Sequence, residues 1–276
     1  AKGAGLGTVF SIGTNGTGYS RLHFFSGPLD GARPYGTPVL SGSTLYGMTS
    51  AGGASNLGSV FKMETSGAGF ALLHSFAGGV SDGASPFGSL TMVGSTLYGL
   101  TYDGGTSNLG TVFKIESNGS GFAVLHSFAG GTAEGSRPYG DLILSGSTLY
   151  GTTYSGGAYD SGTVFLINTL GIGFSILHTF NALDAANGSG PQGSLCLSGS
   201  TLYGLTQYGG TDYRGTAFRL GTDGSGFSVL HSFISGPTDG AQPMQSPILL
   251  GNALYGMTFY GGVADTGCIF SLPLLP

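Results

Sequence analysis

The chain has five histidines, His23, His74, His126, His178 and His231, each preceded by Leu in one recurring Leu-His-(Ser/Thr/Phe)-Phe element. Imidazoles at a single repeat position could converge on a metal, because neutral imidazole is a common metal ligand. An acid follows each of them, in order Asp30, Asp82, Glu134, Asp184 and Asp239. With the Ser or Thr that follows four of the histidines, a Ser-His-Asp set for acyl transfer can be drawn. Multiplicity argues against both chemistries. A glycosidase needs two carboxylates about 5–10 Å apart across one bond, whereas one acid per repeat is spread through the fold. The Gly-rich run at residues 13–18 resembles a phosphate loop only in composition, and reads as a hairpin turn. No Asp-x-Asp-x-Asp pattern supports calcium. The expected role of each His is structural, fixed by hydrogen bonds to the neighbouring loop and its acid. No catalytic residue, metal or cofactor is expected.

The elements that position these residues follow from self-comparison. Gly-(Thr/Ser/Cys)-(Val/Ala/Ile)-Phe begins at Gly7, Gly58, Gly110, Gly162, Gly215 and Gly267, at spacings of 51, 52, 52, 53 and 52. Leu-Tyr-Gly recurs with Tyr46, Tyr98, Tyr150, Tyr203 and Tyr255, and Pro34, Pro86, Pro138, Pro191 and Pro243 stand between the His and Tyr elements. Each repeat predicts four short strands, a to d. In one unit these are Ser89–Val93, Thr96–Thr101, Thr111–Glu116 and Phe122–Phe128. Gly94-Ser95 joins a to b with the Gly that a type II′ turn needs, and Asn118–Gly121 joins c to d. Both faces of strand d are largely apolar, so the sheet must be covered on both sides. The Tyr of Leu-Tyr-Gly is expected to pack, with its Gly leaving room for the ring.

Four antiparallel strands per repeat, mutually covering their faces, predict an all-β fold: a β-propeller of four-stranded blades. A β-solenoid is the competing reading, but its coils are shorter and lack two tight hairpins per repeat. The chain begins c-d and ends a-b-c. The expectation is one domain over 1–276, with units at 7–57, 58–109, 110–161, 162–214 and 215–266 and a closing strand at 267–272. Five blades would close by mixing the N- and C-terminal strands. Six or more blades is the alternative.

The segments Ser147-Thr148-Leu149-Tyr150-Gly151, Gly156-Gly157, Gly162-Thr163-Val164-Phe165 and Leu177-His178-Thr179-Phe180, with their counterparts, resemble the bacterial tandem repeats called GloVer. The Gly-Gly after the second strand is also similar to Kelch repeats, without the Kelch Trp. The GloVer resemblance implies a propeller-like fold and export or surface anchoring. It implies no activity or catalytic motif.

Composition narrows the partners. A formal charge of −5, with 8 Lys+Arg against 13 Asp+Glu, disfavours nucleic acid, which demands a basic surface. No run of 18 apolar residues predicts a membrane span. Ala1 opens the chain without an initiator Met or a basic and apolar leader, as after processing or trimming. Cys196 and Cys268 read as small buried hydrophobes rather than a bridge. A surface poor in Lys and Glu and rich in Ser, Thr and Gly fits a secreted or cell-surface location.

Variation between units concentrates in the longer b-c and d-a loops, which alternating strand direction puts on one face. Before or at Gly-Gly stand Tyr102 and Asp103, Tyr154, Tyr208, and Phe259 and Tyr260. After it come Tyr159 and Asp160 in one unit, and Asp212, Tyr213 and Arg214 in another. The d-a loops add Arg137, and Tyr35 and Tyr139 stand where strand a begins. Aromatic faces beside acids and guanidinium groups suit an extracellular glycan or polymer, since functional sites concentrate on variable loops over a scaffold. The expected function is non-enzymatic binding. A hydrolase or lyase near Asp184–Gln192, or a self-associating structural repeat protein, are the alternatives.

Overall fold

The computed structural model describes residues 5–274, all of them in strands, turns or loops. The repeat folds into an antiparallel sheet with order a-b-c-d: Val39–Ser41, Thr44–Thr49, Ser59–Glu64 and Ala71–Ser75. The next sheet is Thr91–Val93, Thr96–Thr101, Thr111–Glu116 and Ala123–Ser127. Two more follow, one from Ile143–Ser145 to Ser175–Thr179 and one from Cys196–Ser198 to Ser228–Ser232. A c-d pair, Thr8–Ser11 with Ser20–Phe24, precedes them, and an a-b-c sheet over Ile248–Leu250, Ala253–Met257 and Ile269–Pro273 comes last. These sheets are β-propeller blades. The chain divides into two compact units, Ala1–Ser127 and Phe128–Pro276.

Strands b and c have the bounds that the sequence predicts, and strand d is one residue shorter at each end. Strand a loses Gly-proximal residues: the ladder starts at Thr91, because Ser89 serves the neighbouring blade instead, its hydroxyl accepting the Thr37 N–H at 2.9 Å. Gly94 has φ 60°, as the first central position of a type II′ turn requires.

Within each unit the core lies between blades. In the first, Tyr46, Met48, Val60 and Phe76 of one sheet meet Leu90, Leu97, Phe113 and Ile115 of the next. In the second, Val164 and Phe180 meet Leu195, Leu202, Phe218 and Leu220. Each such side chain contributes about 1.5–3 kcal/mol by leaving water, which is why neither face of a blade can remain bare. The Gly after Tyr has a different purpose from the expected one. A Cβ at Gly99 would stand 2.6 Å from the Phe113 ring, so this glycine makes room for the strand c Phe rather than for the Tyr before it. Strands b and c are also tied by buried hydroxyl pairs, Thr101 with Thr111 at 2.7 Å and Thr153 with Thr163 at 2.8 Å.

The sheets are consistent with the expected five blades. Among the described strands, Thr8–Ser11 pairs with Ser20–Phe24 alone and Ile269–Pro273 with Ala253–Met257 alone. Both cysteines are free, and half-buried rather than buried. Burial pushes the Cys196 thiol up to about 11, and Cys268 replaces the second hydroxyl of the b-c pair, 3.3 Å from Thr258 Oγ1.

Candidate functional site

The histidines are staples of the d-a loop. His74 Nε2 lies 3.0 Å from Asp82 Oδ1, and the same carboxylate accepts the backbone N–H groups of Ala77 and Gly83. His23 pairs with Asp30 and His231 with Asp239, each at 3.1 Å. In the irregular loop after His178 Asp184 is not the partner. His178 Nε2 meets Asn187 Oδ1 at 3.1 Å, while Asp184 Oδ1 accepts the Ala186 N–H. A neutral amide gives an imidazolium little support, and burial holds the His178 pKa below the usual histidine value, partly offset by the Asn187 bond.

The stapled loop then carries the next one. Gly83–Ala84 pairs antiparallel with Asp103–Gly104, Gly188–Ser189 with Tyr208–Gly209, and Gly240–Ala241 with Tyr260–Gly261. In each repeat the d-a and b-c loops therefore share one end of the blade. The residue before the repeat Pro is left-handed, as at Arg137 with φ 56°, and its carbonyl accepts the Tyr154 N–H at 3.1 Å. Its backbone is thus part of the scaffold, while its side chain is exposed.

Beyond Gly-Gly, a second left-handed residue fixes the b-c loop. Asn56, Asn108, Asp160 and Asp265 have φ between 49° and 57°. Their side-chain oxygens accept the N–H of Gly52, Gly104, Gly156 and Gly261 at 2.8–3.0 Å. Asp160, expected to face a ligand, thus has one carboxylate oxygen engaged in its own loop. Asn and Asp tolerate this conformation through such local bonds. The remaining repeat places Tyr213 there, at φ 58°. A tyrosine cannot make that bond, and a bulky side chain at positive φ is a genuine outlier. Its ring, 52% exposed, stacks on Tyr208 with centroids 5.6 Å apart and planes 21° apart. Asp212 and Arg214 on either side are exposed.

A family model described as the Gloeobacter/Verrucomicrobia repeat matches residues 2–134 and again 94–270. The chain belongs to this repeat family. No curated protein matches it. Among solved structures it is similar to a nidogen/laminin complex chain, at 16% identity and TM-score 0.55, covering 87% of this chain and 76% of that one. It is also similar to TolB from Acinetobacter baumannii, at 11% identity and TM-score 0.53, covering 96% of this chain and 59% of that one. At these identities the likeness concerns the propeller fold.

The Gloeobacter/Verrucomicrobia repeats set the remaining predicted residues in three groups. In the first unit Tyr35, 62% exposed, meets Phe87 at 5.5 Å, and Phe87 meets the half-buried Tyr102 at the same distance. The half-buried Asp103 is in the short loop ladder, its carbonyl accepting the Thr101 hydroxyl at 2.8 Å. In the second unit Tyr154 is half-buried, its hydroxyl 3.5 Å from Gln207 Oε1, which also accepts the Gln192 amide at 2.9 Å. Phe259 and Tyr260 pack edge to face at 4.8 Å and remain largely exposed. Tyr159 is exposed and Tyr139 half-buried. Sequence reasoning passed over Gln207, which is buried and ties its loop to Tyr154 and Gln192. Its signal was a polar residue where two other repeats have Tyr.

Proposed function

We propose that this repeat scaffold is a non-enzymatic binding module, secreted or held at the cell surface, whose ligand is a glycan or cell-surface polymer. The ligand is held by the b-c loop around Tyr208 and Tyr213, with Asp212 and Arg214 as its polar partners. The observation that carries this reading is Tyr213. Four loops use the left-handed position to bind their own backbone, and this one uses it to present a ring at a conformational cost of about 1–2 kcal/mol. Strain of this kind collects at functional sites. Stacked phenol rings offer an apolar face to the C–H side of a sugar, while carboxylate and guanidinium groups bond its hydroxyls. Such shallow contacts gain from multivalency along a polymer, and the exposed Tyr159 and Tyr260 of the other b-c loops in the same unit add to the surface.

Tyr213→Asn tests the assignment. The variant restores the residue type of the other loops, so the protein should be equally or more stable to urea. Its retention on immobilised polysaccharides bound by the unaltered protein should drop about tenfold or more. Undiminished retention would remove Tyr213 from the site.

A further inference from the structure

After four of the histidines the acid stands directly before a glycine: Asp30-Gly31, Asp82-Gly83, Glu134-Gly135 and Asp239-Gly240. After His178 that place is held by Asn187-Gly188, and the chain has two other Asn-Gly pairs, Asn15-Gly16 and Asn118-Gly119. Asn-Gly is especially open to loss of the side-chain ammonia. A glycine has no Cβ to shield its backbone nitrogen from the asparagine carbonyl carbon.

The three pairs are held differently. Gly16 and Gly119 donate their N–H groups to the carbonyls of Gly13 and Glu116, each at 2.8 Å. The Asn15 and Asn118 Oδ1 atoms accept the N–H groups of Thr17 and Ser120 instead. Gly188 donates its N–H to Asn187 Oδ1 itself, at 2.9 Å. The nitrogen is therefore already against the amide it would attack. His178 Nε2 lies 3.1 Å from the same Oδ1. An amide oxygen only accepts, so the imidazole nitrogen is the donor there, and Phe227 stacked on the ring at 3.7 Å keeps it in place. A donor fixed on the oxygen that turns negative as a nucleophile adds is what an oxyanion hole supplies.

The surroundings also fit the product. Asp82 Oδ1 meets His74 Nε2 at 3.0 Å and accepts the Gly83 N–H at 2.7 Å. Asp239 Oδ1 meets His231 Nε2 at 3.2 Å and accepts the Gly240 N–H at 2.8 Å. Asn187 makes the amide version of these two contacts, so a carboxylate in its place finds both partners waiting.

We propose that Asn187 is a site of spontaneous deamidation, by which this repeat acquires the aspartate that its counterparts encode. Hydroxide from solvent removes the Gly188 amide proton, and the nitrogen bonds to Asn187 Cγ while His178 Nε2–H holds the charge developing on Oδ1. The Cγ–Nδ2 bond breaks and ammonia leaves with a proton from water, giving a succinimide. Water then adds at Cγ, the bond from Cγ to the Gly188 nitrogen breaks, and that nitrogen regains a proton. The main chain is restored with a carboxylate at residue 187. Opening at Cγ prevails because the pairing of Gly188–Ser189 with Tyr208–Gly209 holds the normal backbone path, whereas opening at the main-chain carbonyl inserts a methylene into it. Asn187 is outside the ligand contacts assigned to Tyr208 and Tyr213, so either assignment can fail without the other.

Peptide mapping by mass spectrometry tests this, following the three asparagines while the whole folded chain stands in mildly alkaline buffer, and again in urea. In the fold Asn187 should convert about tenfold or more faster than Asn15 and Asn118, a modest share of what positioning can supply. In urea the three rates should converge. The product at 187 should be chiefly aspartate, told from isoaspartate by electron-transfer fragmentation, and the His178 imidazole resonances should move to those of Asn187→Asp. His178→Phe keeps a ring against Phe227 and removes the donor, and should slow conversion at Asn187 about tenfold or more. Equal or slower conversion at Asn187 than at the other two in the folded chain, isoaspartate as the main product, or an unchanged rate in a His178→Phe protein of native circular dichroism would each overturn the proposal.

Discussion

The loops at 156–162 and 209–215 have the same backbone and different side chains. Asp160 and Tyr213 occupy one repeat position, both left-handed, at φ 49° and 58°. Each N–H donates to the second glycine of the Gly-Gly pair, Asp160 to Gly157 at 3.1 Å and Tyr213 to Gly210 at 3.3 Å. The Asp160 carboxylate also holds the Gly156 N–H; the tyrosine makes no such bond. The conformation is therefore imposed by what surrounds the loop: the antiparallel pairing with the stapled d-a loop, and the buried hydroxyl pair at the base of strands b and c. A side chain released from holding the loop is available for something outside it.

That contrast can be broken from beneath. Phe165 is fully buried in the sheet below the 156–162 loop, and Phe165→Ala should cost about 3–5 kcal/mol in urea unfolding. A loss below about 1 kcal/mol would mean that the blades do not impose the loop geometry. A smaller effect sharpens it. Asp160→Ala should cost about 1 kcal/mol, since it removes a charge-assisted bond at an exposed loop, while Tyr213→Ala should be close to neutral by the same measurement. Equal losses would show that both loops depend on their side chains.

The smallest effect concerns the staples. The His178 pKa lies below its unfolded value of 6.5, so the unfolded chain binds more protons just below that pH. Stability contributed here is complete above about pH 6.5 and declines as pH falls through the interval down to the folded pKa, where it levels off. Asn187→Asp supplies the carboxylate that His74 and His231 have, favours the imidazolium, and should shrink or reverse the decline. Melting temperatures of the two proteins between pH 7.5 and 5 would check this, and parallel curves would count against it.

Much of the fold was legible. Strands b and c were predicted to the residue because each is bounded by its own chemistry, a Gly-led turn on one side and a Thr or Ser on the other. The pairing of His23, His74 and His231 with an acid downstream was legible for the same reason, being local in sequence. The Asn187 substitution for Asp184 was not, because an irregular loop of unknown path offers two acceptors. Nor was the purpose of the Gly in Leu-Tyr-Gly, whose neighbour across the sheet, Phe113 for Gly99, lies 14 residues away.

The candidate site divides in the same way. Tyr208 and Tyr213 were visible as aromatics in a variable loop, and so were Tyr154 and Asp160. Sequence could not rank them, since all four are polar-tipped or acidic residues beside Gly-Gly. The fold half-buries Tyr154 against Gln207, engages Asp160 with a glycine N–H, and leaves Tyr213 strained and exposed. Repetition in the sequence determined the blade, because one pattern of apolar alternation and turns is written again and again. Which side chains remain free for a ligand was decided only in the tertiary structure, where each residue's partners come from the neighbouring loop or blade.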